Sequence, residues 1–313
     1  MTGLAQPQPG FAHEAFLYED DQEYLDRTSS FVEAGLEAGE PALVAVPLHK
    51  HDLLRERLGE PDGTMLQLVA MEEMGRNPAW IIPAWADFVY PHLAAGGRAR
   101  GVGEPIWQDR SVDELIECGR HESLLNLAFA DAGGFTLMCP YDASVLPTAV
   151  THEALRTHPT VTVGGNTIRS DHFDSDVPQQ LDTPLSPVPD GATTVDFDVT
   201  SLAAVRHLTG RLGRTAGLPQ SRVDALLLAV SEVTTNSVRH AGGGGQLACW
   251  LEHDRFVCEV RDKGRISDPL AGRVRPHVAH HGGRGLWLMH QLCDLVQVRV
   301  LDDRQVIRLH LSA

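Results

Sequence analysis

No stretch of this sequence holds the roughly 18 consecutive apolar residues that a membrane-spanning helix needs, so no membrane segment is expected. Met1 to Gly10 lacks both a basic start and an apolar core. A secretory signal is therefore not expected, and the cytoplasm is the default location. Cysteine is sparse: Cys118, Cys139, Cys249, Cys258 and Cys293 stand far apart, with no CxxC pair. That spacing argues against a structural zinc site and against a disulfide framework, and leaves buried, reduced thiols as the expectation. Bases are also few. Lys and Arg number 26 against 42 Asp and Glu, for a net charge of −16. Half of that excess lies in Phe11 to Glu40, where nine acids face only Arg27. Direct binding to nucleic acid needs a basic face, and none is present. The balance suits a regulator with protein or small-molecule partners.

What is there is an ordinary globular composition, 42% hydrophobic and 22% charged, over 313 residues. A single core rarely grows past about 250–300 residues, so two domains are expected. The break falls at 166–192. The stretch from Asn166 to Thr194 carries four prolines, much Asp and Ser, and few large apolar residues. It cannot bury enough surface to fold alone and is read as an exposed linker.

Before the linker, strands alternate with helices. Helices are expected over 21–39, 50–58, 81–95 and 111–132, and strands over 41–47, 64–69, 101–107 and 135–141. This order implies an α/β domain at 11–165 with a mainly parallel sheet. After the linker, over 193–313, a strand at 195–199 precedes helices at 201–216 and 220–240. Strands come next at 246–252 and 255–262, then a helix at 284–294 and strands at 296–301 and 305–311. Helices and strands are partly segregated here, which predicts an α+β sandwich with helices on one face of a mixed sheet.

Three local signals in the second domain carry chemistry. Glu232 and Asn236 are four apart on the long helix and share a face. A carboxylate and a carboxamide oxygen placed so can hold hydrated Mg²⁺ and an attacking hydroxyl. Arg261-Asp262-Lys263-Gly264 ends a strand. There a carboxylate can accept a hydrogen bond from an adenine amino group, and a glycine lets the base approach the backbone. Gly282-Gly283-Arg284-Gly285 opens a helix, where exposed N–H groups and the helix dipole favour phosphate. Each signal alone is equally a solvated helix face, a turn, or a glycine-rich helix entrance.

Together, SEVTTNSVRHA, RDKG and HGGRGLWLMHQLCD resemble, in order and spacing, the nucleotide-binding boxes of the GHKL (Bergerat-fold) ATPases. They are similar to the anti-sigma-factor serine kinase branch. The resemblance implies that Asn236 coordinates Mg²⁺, Glu232 activates the acceptor hydroxyl, Asp262 reads adenine and Gly264 makes room for it. Gly283 and Gly285 would line the phosphates of ATP, with Arg239 and Arg284 as phosphate contacts, and 266–281 would form a lid. His277, His280 and His281 in that lid have a spacing that permits two metal ligands. No Cys or carboxylate completes a site nearby, so a polar lid is expected. His207 lies on the helix before the ATPase core, but no coiled-coil partner helix precedes it. Phosphorylation of a partner Ser or Thr is therefore preferred to histidine autophosphorylation.

The first domain resembles the MEDS (DcmR-type) sensory family, related to the RecA/KaiC fold. The resemblance rests on HEAFLYEDDQEYLDRTSSFVEAGLEAGEPALVAVP, GEPIW, RHESLLNLAF, CPYD and THP. Those relatives hold phosphate through GxxxxGK[ST] after their first strand. The corresponding stretch from Val46 to Asp52 has no glycine, so a degenerate scaffold is expected. His13, Glu104, His121, Glu122 and Tyr141 are candidates to line a pocket for an unknown small molecule. The whole is expected to be an ATP-binding regulatory kinase of the anti-sigma-factor type. Its partners would be a STAS-type anti-anti-sigma factor, a sigma factor or both, and a homodimer is implied by resemblance. The alternatives are a non-catalytic nucleotide-dependent switch and an orphan sensor histidine kinase.

Overall fold

The computed structural model describes residues 10–176, 183–276 and 283–312. The chain divides into two units, Met1–Pro178 and Gln179–Ala313. No described helix is long and apolar enough to cross a membrane.

The first unit runs β1 (Ala12–Tyr18), α1 (Asp21–Glu37), β2 (Ala42–Val46), α2 (His51–Leu58), β3 (Leu66–Ala70), α3 (Met71–Met74), α4 (Ile81–Ala94), β4 (Ala99–Gly103), α5 (Val112–Ala128), β5 (Phe135–Asp142), α6 (Thr148–Thr157), β6 (Thr160–Val163) and β7 (Asn166–Arg169). The sheet order is β3-β2-β4-β5-β1-β6-β7, parallel except for the terminal β6–β7 pair. Every residue of β2 is buried, the mark of a central strand covered on both faces. Gly101 and Gly103 make room for the Trp85 ring. A Cβ at Gly101 would lie 2.8 Å from it, and Trp85 is only 1% exposed.

Two expectations shift here. The first strand is Ala12–Tyr18, not the run at 41–47. It leads into Glu19-Asp20-Asp21, where the Asp20 carboxylate caps α1 by accepting from the Glu23 N–H at 2.8 Å. The loop that follows the first strand is thus acidic and without glycine, and it is a different stretch from 46–52, the one singled out in the sequence. Residues 166–169, read as linker, form β7 instead. Gly164 and Gly165 both adopt positive φ (54° and 74°) and turn the chain back onto β6, a hairpin signal that glycine pairs supply.

The second unit runs β8 (Thr193–Asp198), α7 (Leu202–Thr215), α8 (Gln220–His240), β9 (Gly244–Glu252), β10 (Arg255–Asp262), α9 (Arg284–Leu292), β11 (Leu295–Val300) and β12 (Gln305–Ser312). The strand order is β11-β12-β10-β9-β8. All four pairings are antiparallel, so the sheet is not mixed. The chain returns over one face by helices and along the sheet by short hairpins, and neither connection demands a parallel crossover. Leu226, Val230 and Val233 of α8 and Met289 of α9 pack with Val260, Ile307 and Leu309 of the sheet in one core. The opposite sheet face is partly covered by the proline-rich stretch. Val188 and Ala192 pack against Ala248, Trp250 and Val257, and Arg308 donates to the Ser186 carbonyl at 2.6 Å. A segment with little apolar surface is held here by its backbone carbonyls, which the sheet's arginines reach.

Candidate nucleotide site

Helix α8 presents its polar face away from the sheet. Its buried residues Leu226, Val230 and Val233 turn inward, which leaves Glu232, Asn236 and Arg239 on the outer side at helical spacing. Strand β10 delivers Asp262 at its last residue. The side chain is 7% exposed. Its two oxygens are held by the protein: Ser237 Oγ donates to Oδ2 at 2.6 Å, and the Gly264 N–H donates to Oδ1 at 2.7 Å. A Cβ on Gly264 would stand 2.8 Å from Asp262 Oδ1 and 3.0 Å from Ala241 Cβ, so only glycine fits that turn without displacing the carboxylate.

Helix α9 closes the third side. Gly283 precedes it at φ +81°, a left-handed conformation that favours glycine. Gly285 lies directly against α8. A Cβ there would stand 2.9 Å from Glu232 Oε2 and 3.0 Å from Asn236 Nδ2. The missing side chain is what allows the N-terminus of α9 to approach the Glu232–Asn236 pair.

These elements enclose a cavity of about 380 Å³ lined by Glu232, Asn236, Arg239, Asp262, Gly264, Gly283, Arg284 and Gly285. Every nucleotide-site residue expected from the sequence therefore meets in one place, although they span 54 positions, from 232 to 285. Arg239 and Arg284 are exposed at its rim. A second cavity, of about 350 Å³, shares Glu232, Arg284 and Gly285 with the first and adds Arg275, Pro276, Trp287 and Leu288. Glu232 thus borders both. Of the expected lid, 266–276 is irregular chain, while His277, His280 and His281 lie outside the described residues.

Sequence reasoning missed Ser237 and Gln305. Ser237 lies on the buried side of α8, off its polar face, yet it reaches the strand that carries Asp262. Gln305 stands opposite Asp262 in the β10–β12 register and its Oε1 accepts from the Ile266 N–H at 2.9 Å. It fixes the path of the chain leaving the cavity. Only strand pairing reveals it.

In the first unit, His13, Glu104, His121, Glu122 and Tyr141 are all buried. Glu104 lies apart from the rest. It pairs with Lys50 at 2.5 Å and accepts from Tyr18 Oη at 3.0 Å. Burial pushes its carboxyl up to about 7, against the opposing pull of the Lys50 ammonium. His13 and Glu122 come together with Cys139 and His158, and the Tyr141 ring meets His158 edge-on.

Comparison with known proteins assigns both units. Residues 12–159 match the family model of the MEDS domain (methanogen/methylotroph, DcmR sensory domain), and residues 195–311 match that of the histidine kinase-like ATPase domain. Among solved structures, the chain is similar to the RsbU and RsbW domains of Rv1364c from Mycobacterium tuberculosis. The identity is 18% and the TM-score 0.31, over 41% of this chain and 33% of that one. The match therefore spans about a third of the length of that solved chain. No curated protein matches the chain.

Proposed function

We propose that this chain, a MEDS domain fused to a histidine kinase-like ATPase domain, is an ATP-dependent regulatory protein kinase. It acts in the cytoplasm on a serine or threonine of a partner, a STAS-type anti-anti-sigma factor, under control of the N-terminal domain. The observation that carries the reading is the single cavity in which Glu232, Asn236, Asp262 and the glycines of two turns converge.

The residues present fit Mg-ATP. An ionised carboxylate only accepts hydrogen bonds, so Asp262 suits the exocyclic amino group of adenine, with Gly264 leaving the ring room. The Asn236 side-chain oxygen suits Mg²⁺. Gly283 and Gly285 offer unshielded backbone at a helix N-terminus, where phosphate is favoured, and Arg239 and Arg284 add charge at the rim. Mg-ATP supplies the phosphoryl group. Glu232, bordering both cavities, takes the proton of the acceptor hydroxyl as its oxygen bonds to the γ-phosphorus and the bond to the β-phosphate oxygen breaks. The second cavity gives the acceptor segment a place on the far side of Glu232.

The test is transfer from γ-labelled ATP by the full chain to a purified STAS-domain protein. Acid-stable label on the partner is expected. Acid-labile label on this chain would replace the reading with a histidine kinase. Saturable ATP binding without transfer to any partner would replace it with a non-catalytic switch. Asn236→Ala is expected to weaken Mg-ATP binding by about tenfold, the loss of one hydrogen-bond-scale contact, and to lower transfer as well. Unchanged values for both would remove its Mg²⁺ role.

Gly285→Ala separates site from fold. Alanine favours a helix over glycine by about 0.8–1 kcal/mol, so the melting temperature should hold or rise. The new methyl would push the Glu232 and Asn236 side-chain ends from their positions, and ATP affinity should fall by about tenfold or more. Calorimetry and a thermal melt on the same sample read both effects.

A further inference from the structure

We propose that the N-terminal domain binds one tetrahedral Zn²⁺ ion through His13 Nε2, His158 Nε2, the Glu122 carboxylate and the Cys139 thiolate. The four side chains come from β1, α5, β5 and the residue that ends α6, and their ligand atoms all lie within 4.8 Å of one another. All four residues are 2% exposed or less.

The hydrogen bonds around the cluster fix which atoms face inward. Asn126 donates its amide N–H to the Thr157 carbonyl at 2.7 Å, which turns its Oδ1 toward His13 Nδ1 at 3.1 Å. An amide oxygen only accepts, so His13 Nδ1 carries the proton and Nε2 presents a lone pair. His158 Nδ1 faces the Ala154 carbonyl at 2.9 Å, so it also carries a proton, and its Nε2 is likewise a lone pair in the neutral ring. Such outer partners are how proteins orient imidazole toward a metal.

The two Nε2 atoms then converge on a group that also only accepts. Each stands 3.3 Å from Glu122 Oε2, and Cys139 Sγ lies 3.4 Å from His13 Nε2. Hydrogen bonds between charged nitrogen and carboxylate oxygen run at about 2.7–2.9 Å, shorter than these contacts. Neither oxygen of Glu122, nor His158 Nε2, makes a hydrogen bond, an unusual condition for buried polar atoms. These three separations instead fit edges of a tetrahedron about 2.0–2.3 Å in radius, which are about 3.3–3.8 Å long, as expected for zinc bound by N, O and S, and the remaining ligand pairs lie within 4.8 Å. The charge also closes. Two positive charges on the ion meet one negative charge on the carboxylate and one on the thiolate, leaving a neutral buried site. Two buried imidazolium rings with centroids 4.0 Å apart beside one carboxylate would not. Thiolate and imidazole together favour zinc over the hard divalent cations. Four protein ligands fill the shell, so the ion would clamp β1, β5, α5 and the end of α6 rather than present a reactive position.

The test uses the full chain, freed of any polyhistidine tag and expressed in zinc-supplemented medium. One zinc ion per chain by elemental analysis is expected, falling at least tenfold in Cys139→Ser and in Glu122→Gln. Cobalt in place of zinc should give the intense visible bands of a tetrahedral site and a thiolate-to-cobalt charge-transfer band that Cys139→Ser abolishes. Should the variants fail to fold, X-ray absorption at the zinc edge of the wild type decides: one sulfur and three nitrogen or oxygen neighbours support the site. A folded chain that takes up neither metal, or a bound metal with no sulfur neighbour, overturns it.

Discussion

Asp262→Asn should weaken Mg-ATP binding by about tenfold to about a hundredfold while leaving the domain folded. A hydrogen bond to a charged group is worth about 1.5–3 kcal/mol, which is that range in affinity. The carboxylate already accepts from Ser237 Oγ and from the Gly264 N–H. An adenine amino group would be a third donor, and a carboxylate has lone pairs to spare for it. Asparagine can keep its oxygen on the Gly264 N–H, which cannot turn away. Its amide nitrogen then faces Ser237, whose hydroxyl lies 3.0 Å from the Val233 carbonyl and can donate there instead. The protein re-pairs, so the melting temperature should move little. The acceptor offered to the base is neutral and has fewer lone pairs, so the loss falls on the ligand. Calorimetry on wild type and variant measures it. Equal affinities would mean that adenine is not read by Asp262, and the cavity would need a different occupant.

How much of the fold and the site was legible in the sequence depended on whether the signal was local. The long helix α8 could be bounded at Gln220 and His240, as the structure has it, because Pro219 precedes it and the glycine run at 242–245 comes after it, around an uninterrupted helical period. The fold of the second unit emerged from such segments. Strand β1 escaped notice because His13 and Glu14 interrupt its apolar run, and the burial of His13 has its reason in residues more than a hundred positions away. β6 and β7 are four residues each, too short for alternation to speak, and β7 sits where a proline-rich region was expected to begin. The site shows the same division. Carboxylate, carboxamide and glycine positions announce themselves by short spacings, whereas Ser237 and Gln305 acquire meaning only through strand register. The cluster of His13, Glu122, Cys139 and His158 is the extreme case. Scattered cysteines without a CxxC pair argued against a structural zinc site, but that argument covers only ligands close in sequence. A parallel sheet brings β1 beside β5 across more than a hundred residues.

Glu232→Gln carries the largest expected effect on chemistry. Removing a positioned general base costs about 10²–10⁴-fold in rate. Glutamine has the same shape, so Gly285 should still pack against it and the cavity should keep its form. ATP affinity should therefore stay within about threefold of wild type, a change under about 0.7 kcal/mol. The contrast with Asn236→Ala is what makes the result decisive. Loss of Asn236 acts on bound Mg-ATP and should raise the KM for ATP while lowering kcat. Loss of the Glu232 charge acts only as the acceptor hydroxyl gives up its proton and should lower kcat alone. Single-turnover transfer to the partner, with ATP binding measured separately, distinguishes the two. A Glu232→Gln variant that transfers at the wild-type rate would show that the acceptor is deprotonated elsewhere. The shared border of the two cavities would then be a matter of shape rather than of proton transfer.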